Sequence, residues 1–281
     1  MPVSEVLIDA LHYMKRFSGQ TFVIKFGGEV MIDEKVLNAV AEDLIFLSYV
    51  NIKPVIVHGG GAEISAMMEK LGKKPVFVKG LRVTDSETMD LVQMILAGKL
   101  NNEIVASIHK HGGNAVGISG KSAKLFYAEK AESGDVDLGL VGEITEVNSD
   151  VVTTLLDKGY IPVISPIGVA EDGTSLNINA DTAAAKLAVQ LKANKLIFLT
   201  GVEGVLDKNK KLIKRLEKKE AFDLIKKGVA KAGMIPKLNE AFYALDNGIS
   251  RVHIIHARPH SILEEIFTKE GTGTLIEKKK K

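Results

Sequence analysis

Four stretches of this sequence combine residue types that bind anions. Thr21-Phe22-Val23-Ile24-Lys25-Phe26-Gly27-Gly28 reads as a buried strand running into a lysine and a double glycine. A lysine at the carboxyl end of a core strand suits a site, because ligands of open α/β sheets bind there. Its ammonium is a point charge matched to phosphate, and the glycines let backbone N–H groups approach a ligand. A strand and turn with a solvated Lys25 fits this stretch alone equally well. His58-Gly59-Gly60-Gly61 follows a second strand and precedes a helix. A turn needs one or two glycines, whereas three expose successive N–H groups at the positive end of a helix dipole, an anion cradle. In Asn177-Ile178-Asn179-Ala180-Asp181 alternation places Asn177, Asn179 and Asp181 on one face. Asp181 either caps the following helix or holds lysines by charge-assisted hydrogen bonds, and the roles are compatible. Lys231-Ala232-Gly233-Met234-Ile235-Pro236-Lys237 puts Lys237 in a helical first turn, where the dipole disfavours a cation unless an anion faces it. A plainly exposed Lys237 is the alternative.

Two lysines, two glycine cradles and an organising aspartate suit phosphoryl transfer, which is mostly positioning and neutralisation of charge on the moving group. No histidine is placed as a base. That fits an acceptor already anionic, such as a carboxylate, which needs no deprotonation. Other chemistries fail on spacing. Gly120-Lys121-Ser122 resembles the end of a P-loop, but Ala115 stands where that motif needs its first glycine. His109 and His111, at i and i+2 near a helix end, are poorly placed as metal ligands and read as surface residues; no metal-binding set is expected. With no cysteine, disulfides, thiolate metal sites and a cysteine nucleophile are excluded.

The 281 residues, 46% hydrophobic, suffice for one large domain or two lobes sharing a sheet. The 37 basic and 35 acidic residues nearly cancel to +2, which gives no reason to invoke nucleic acid or a membrane surface. No apolar run approaches the roughly 18 residues of a membrane span. The first 17 residues carry Glu5, Asp9, Lys15 and Arg16, unlike a signal or transit peptide, so a cytoplasmic protein is expected. Lys278 to Lys281 reads as a solvated tail.

Positioning those stretches takes an α/β chain. Val6, Leu7, Ala10, Leu11 and Met14 recur at helical spacing from Ser4 to Phe17. This amphipathic helix needs a partner, either the body of the chain or another subunit. Strand, glycine loop and helix then alternate twice, with helices over 33–49 and 62–71, which predicts right-handed crossovers in a mainly parallel sheet. A hairpin over 74–85 carries Arg82, and one long helix follows from Ser86 to Lys110. Further strands are expected over 114–118 and 161–165, with antiparallel edge strands within 125–147 and a helix capped by Asn148 or Ser149. The second half reads as helix 181–191, strand 195–200, a glycine loop to Leu206, helices 218–227 and 236–248, strand 252–255, helix 261–267 and strand 274–276. Pro236 and Gly248 sit where a helix begins and ends.

At this level the chain resembles the amino acid kinase family over essentially its whole length, and within it the acetylglutamate kinases. The match rests on Lys25-x-Gly27-Gly28, Val57-His58-Gly59-Gly60-Gly61, Gly80-Leu81-Arg82-Val83-Thr84, Asn177-Ile178-Asn179-Ala180-Asp181 and Gly233-Met234-Ile235-Pro236-Lys237. The resemblance implies a three-layer αβα sandwich with a mainly parallel central sheet. It has two lobes, 18–177 for the amino acid and 178–281 for ATP, plus an oligomerisation helix over 1–17. The implied reaction moves the γ-phosphoryl of ATP to the side-chain carboxylate of N-acetyl-L-glutamate, for arginine synthesis. Lys25 and Lys237 are implied to stabilise the phosphoryl group, with Asp181 holding both. Gly60, Gly61, Arg82, Asn177 and Asn179 are implied substrate contacts, Arg82 to the α-carboxylate and Asn177 to the acetylamino group. Lys25, Gly27, Gly28, Thr200, Gly201, Val202, Gly204, Val205 and Lys237 are implied nucleotide contacts, with Mg²⁺ carried by the ATP phosphates. Arginine-inhibited relatives use the extra helix to join dimers into a hexamer and bind L-arginine beside it. Tyr13, Lys195, Glu265, Gly271 and Gly273 occupy the matching places. Two departures stand out, Gly201 where an aspartate is usual and Glu29 where a small residue is usual. An acetylaminoadipate kinase and a non-catalytic arginine sensor are the competing functions.

Overall fold

The computed structural model describes residues 3–132, 134, 136–230 and 233–278. Eight strands form the central sheet. Edge to edge they are Arg215–Glu217, Thr274–Glu277, Arg251–His256, Lys195–Thr200, Thr21–Phe26, Lys53–His58, Ile161–Ser165 and Ala115–Ser119. The last six run parallel, and Thr274–Glu277 pairs antiparallel to Arg251–His256. The two halves of the chain meet at the centre, where Thr21–Phe26 pairs with Lys195–Thr200.

Strand alternation divides the core into two layers. Phe22, Ile24, Phe26, Ile197 and Leu199 pack against the helices Glu34–Tyr49, Asn101–Lys110 and Ser261–Phe267. Val23, Val57, Leu196 and Phe198 face the helices Ala180–Gln190 and Ile235–Asp246. Lys25 shares the parity of Val23, so the pleat sends it toward those last two helices. Among the described residues no helix is long and apolar enough to cross a membrane.

Several boundaries differ from the sequence expectation. The helix from Ser86 to Lys110 is one rod, but its middle, Met94–Leu100, is a π-helix. The antiparallel strands Phe126–Lys130 and Val141–Val147 do not lie at the edge of the central sheet. They close a small barrel with Ile167–Val169 and Ser175–Ile178, two strands that had no alternating run long enough to declare themselves. The short edge strand Arg215–Glu217 and the five-residue helix Gly28–Ile32 are likewise additions. Asn148, not Ser149, accepts the amide of Asp150.

The N-terminal helix, Val3–Phe17, lies on its own chain through its C-terminal half. Tyr13 and Met14 are half-buried and Phe17 is buried edge-on to Phe22. Ile8 and Leu11 remain 60% and 40% exposed, so the apolar stripe is only partly covered. The side chains of Val6 and Leu7 lie outside the described residues.

Candidate active site

The carboxyl end of strand Thr21–Phe26 and the first turn of helix Ile235–Asp246 converge on one carboxylate. Asp181 sits in the first turn of helix Ala180–Gln190. The cap of that helix is Asn179, whose Oδ1 accepts the amides of Asp181 at 2.9 Å and Thr182 at 3.2 Å. This corrects the capping alternative for Asp181: with Asn179 in that role, both oxygens of Asp181 face lysines. Lys25 Nζ lies 2.7 Å from Oδ1, and Lys237 Nζ donates to Oδ2 at 2.8 Å. The Lys25 contact is an ion pair by distance, without the angle of a directed hydrogen bond. Burial pushes the Asp181 carboxyl up, but the charges of Lys25 and Lys237 outweigh it and hold the group below the usual carboxylate range. Two cations on one anion leave a net positive charge, as an anionic ligand requires.

The glycine loops flank this cluster. Gly27 caps the short helix from Gly28, and Gly60 caps the helix Gly61–Lys70. At Gly60 a Cβ would come within 2.4 Å of Leu100 Cδ1, so only glycine fits that approach. Three cavities join end to end. One of about 220 Å³ is lined by Gly59, Gly60, Arg82, Asn177 and Asn179 together with Lys25, Gly28 and Asp181. The second, about 300 Å³, shares Lys25, Gly28 and Gly61 with it and adds Gly27, Thr200 and Lys237. The third, about 680 Å³, shares Thr200 and Lys237 with the second. Gly201, Val202, Gly204, Val205 and Met234 give it mixed apolar and backbone walls. Gly204 has φ +144°, and a Cβ there would meet Thr274 Oγ1 at 2.6 Å. Gly201 is exposed at the rim. The side chain of Glu29, and Lys231 with Ala232, lie outside the described residues.

Arg82 is buried with its guanidinium committed on one side. Nη2 donates to Gly61 O at 2.7 Å and Ser65 Oγ at 2.8 Å, Nη1 reaches Met68 Sδ at 3.2 Å, and the Phe77 ring lies 4.7 Å away. Burial lowers its pKa, yet a guanidinium stays charged. Asn177 donates to Thr84 Oγ1 at 3.1 Å.

The residues matched to an arginine site lie elsewhere, at the amino end of the parallel strands, where Lys195 pairs in register with Phe22. Tyr13, Lys195, Glu265 and Gly271 line a cavity of about 420 Å³ beneath the N-terminal helix. Gly273 does not line it and instead gives its amide to Glu265 Oε2 at 3.0 Å. Glu265 Oε1 accepts from His253 Nδ1 at 2.6 Å, and His253 Nε2 lies 2.9 Å from Lys195 Nζ. Burial, reinforced by the Arg251 charge, pushes Lys195 down to about 7. Burial and Lys195 push His253 down to about 4. Glu265 is raised by burial but pulled to about 2 by the His253 hydrogen bond and charge.

Sequence reasoning missed several groups. His253 was one, although a histidine inside the apolar run Val252–Ile255 is a signal. Thr182 donates to Glu240 Oε1 at 2.6 Å and ties the helix of Asp181 to the helix of Lys237. Glu63 reaches between Gly28 and Gly60 with its Oε2 buried and unpaired among the described residues. His58 and Asn101 lie behind the triple glycine. Of these only His58 sits in a motif, ahead of Gly59-Gly60-Gly61, and there the glycines carry the signal.

A family model described as the amino acid kinase family matches residues 20–256. The acetylglutamate kinase of Methanocaldococcus jannaschii is 51% identical, with 97% of this chain and 95% of that protein covered. Among solved structures, N-acetylglutamate synthase from Neisseria gonorrhoeae, complexed with coenzyme A and N-acetylglutamate, superposes with a TM-score of 0.92 at 28% identity. All of this chain is covered, and it spans 65% of the synthase chain. The same synthase complexed with coenzyme A and L-arginine matches at TM-score 0.88 and 26% identity, covering 99% of this chain and 66% of the synthase.

Proposed function

We propose, from the premise that the chain belongs to the amino acid kinase family, that Lys25, Lys237 and Asp181 carry its phosphorylation of N-acetyl-L-glutamate. It is a kinase of the acetylglutamate type. One observation supports the assignment above others: a single buried carboxylate holds both lysines, and the two lysines line the middle one of the three cavities.

ATP occupies the largest cavity, its base against Val202, Val205 and Met234 and its phosphates directed to Lys237 and Lys25. Acetylglutamate occupies the smallest cavity, its α-carboxylate facing the Arg82 charge and its acetylamino group at Asn177 and Asn179. A side-chain carboxylate oxygen bonds to the γ-phosphorus as the bond to the β–γ bridging oxygen breaks, and ADP leaves with the electron pair. The acceptor is ionised at neutral pH, so no base is needed. Negative charge on the moving phosphoryl group is met by the two ammonium groups and by backbone N–H groups of Gly28, Gly60 and Gly61. Among the described residues no group of three or more histidine, aspartate or glutamate side chains is placed to hold a metal ion. Mg²⁺ would be carried by the nucleotide phosphates and would supply further charge neutralisation beside Lys25 and Lys237.

Residues 18–177 serve the amino acid and 178–281 the nucleotide. The enzyme works in the cytoplasm, in arginine synthesis. Helix Val3–Phe17 joins dimers into a hexamer through its exposed stripe. L-arginine inhibits from the cavity of Tyr13, Lys195, Glu265 and Gly271, with Gly273 holding Glu265 from behind. That a synthase superposing on this chain is complexed with L-arginine supports arginine as the ligand.

The test is acyl-phosphate formation, trapped with hydroxylamine as the hydroxamate, from Mg-ATP with acetylglutamate or with acetylaminoadipate. Turnover on acetylglutamate that disappears in Lys25→Ala is expected. Preference for the longer acid would move the substrate assignment and keep the mechanism. No product from either acid would overturn the site.

A further inference from the structure

His58 and Asn101 take no part in the chemistry above, yet they are buried polar side chains directly behind the glycine cradle. His58 Nδ1 lies 3.0 Å from the carbonyl oxygen of Gly59, and Nε2 lies 3.2 Å from Asn101 Nδ2. The same Nδ2 lies 3.0 Å from Val163 O and 3.3 Å from Ile118 O. Carbonyl oxygens only accept, so the end of Asn101 facing them is its NH₂. Gly59 O can likewise only accept, so Nδ1 must carry hydrogen, and Nε2 of the neutral ring is left as an acceptor that shares the two Asn101 hydrogens with Val163 O and Ile118 O. The proton of neutral His58 therefore sits on Nδ1 and is donated to Gly59 O. Burial pushes the ring down to about 4, which keeps it neutral at working pH.

The Gly59 carbonyl and the Gly60 N–H are two sides of one planar trans peptide. Holding the oxygen against the ring turns the N–H the opposite way. That N–H has no protein acceptor among the described residues, and Gly60 lines the substrate cavity. The π-helix Met94–Leu100 ends at Asn101 and lays Leu96 and Leu100 against Gly60. A Cβ at Gly117 would come within 1.9 Å of Asn101 Oδ1, so glycine there makes room for the amide.

We propose that His58 and Asn101 are positioning residues that set the Gly59–Gly60 peptide plane and aim the Gly60 N–H at the phosphoryl group in transit. This rests on the reading that the Gly59–Gly61 loop faces that group. The orientation is transmitted from the backbone of strands Ile161–Ser165 and Ala115–Ser119, so the aim of one amide is referenced to the sheet itself.

The test combines variants with one measurement on the unaltered enzyme. His58→Leu removes the donor to Gly59, whereas His58→Asn places an amide N–H near the position of Nδ1. His58→Leu is expected to lower kcat by about tenfold to a hundredfold, below the full loss of an oxyanion donor. Its KM for acetylglutamate should stay within about threefold, because an interaction made only in the transition state leaves ground-state binding alone. Affinity for ADP–aluminium fluoride with acetylglutamate should fall in step with kcat, and His58→Asn should restore most of both. Equal losses in the Leu and Asn variants, or a loss confined to KM, would overturn the proposal. If the variants do not fold, nitrogen NMR of the histidine-labelled enzyme decides. A proton fixed on Nδ1 of His58 from about pH 7 to pH 5 is expected, and a proton on Nε2 or titration in that range overturns it. Undiminished turnover in Lys25→Ala would instead remove the catalytic site on which the proposal rests, while leaving the tautomer as found.

Discussion

Lys25 and Asp181 stand 2.7 Å apart, Lys25 lines two adjoining cavities, and the second oxygen of the same carboxylate holds Lys237 at 2.8 Å. The carboxylate therefore fixes the separation of two cations that would otherwise repel. A phosphoryl group entering between them meets charges already in place, with little reorganisation.

Replacing Asp181 by Asn keeps the shape and removes the charge. The expected loss in kcat is roughly 10²–10³-fold. Two nearly buried lysines are then left without their anion, so the ligand-free protein should lose about 3–5 kcal/mol of stability. Saturating Mg-ATP should recover part of that loss by supplying the missing negative charge. Thermal melts with and without nucleotide check this, and an Asn variant as stable as the parent without ATP would contradict it.

Arg82 lines the cavity with both N–H groups of Nη2 donated to Gly61 O and Ser65 Oγ and Nη1 at Met68 Sδ, which fixes the guanidinium in place. Lysine has a single point-charge ammonium and cannot keep those anchors while also meeting a carboxylate. Arg82→Lys is expected to raise the KM for acetylglutamate by about tenfold to a hundredfold, leaving the KM for ATP within about twofold. Steady-state kinetics in both substrates separates this from general damage, which would raise both.

Stability should fall in mild acid. His58 and His253 are buried and pushed down to about 4, whereas an unfolded chain protonates histidine near its ordinary value of 6.5. The unfolded state then binds more protons between those values, so stability is full above 6.5 and is lost as pH drops toward 4. Each ring contributes on the order of 3 kcal/mol. Asp43 acts in the opposite sense. Burial raises it to about 6, against lowering by the His260 hydrogen bond, so the stability it adds at low pH is lost as pH rises through about 6. Urea unfolding at about pH 7 and pH 5 should show a net loss at the lower value, steeper in Asp43→Asn. A flat profile in the parent would refute the buried neutral histidines.

The N-terminal helix offers a surface test. Phe17 is buried on Phe22, whereas Ile8 and Leu11 face outward. On the proposal that this helix joins dimers into an arginine-inhibited hexamer, the parent should run as a hexamer on a sizing column, and Ile8→Asp with Leu11→Asp should give dimers that arginine inhibits less. Turnover without arginine should stay within about twofold, because exposed substitutions barely affect the fold. A hexamer that survives both changes would sink the assigned role of the helix.

The sequence by itself determined the parallel α/β plan and which stretches hold the lysines and glycines proposed to bind an anion. Strand, lysine and glycine adjacent in the chain form a local signal, and hydrophobic period reports which face is buried. The pleat alone told Lys25 from Ile24, whereas Asn177 to Asp181 all line one cavity, Ile178 and Ala180 included, because the strand ends at Ile178 and a helix begins at Ala180. What only the tertiary structure decided was pairing. Period does not name the partner of a buried face, so the small barrel of Ile167–Val169 and Ser175–Ile178 was not legible. Nor was the choice of Asn179 over Asp181 as cap, which freed both oxygens of Asp181 for two lysines far away in the chain. His58, Asn101 and His253 lay hidden for the same reason. Their tautomers and lowered basicity come from desolvation and from carbonyls of distant strands, and those exist only once the chain has closed around them.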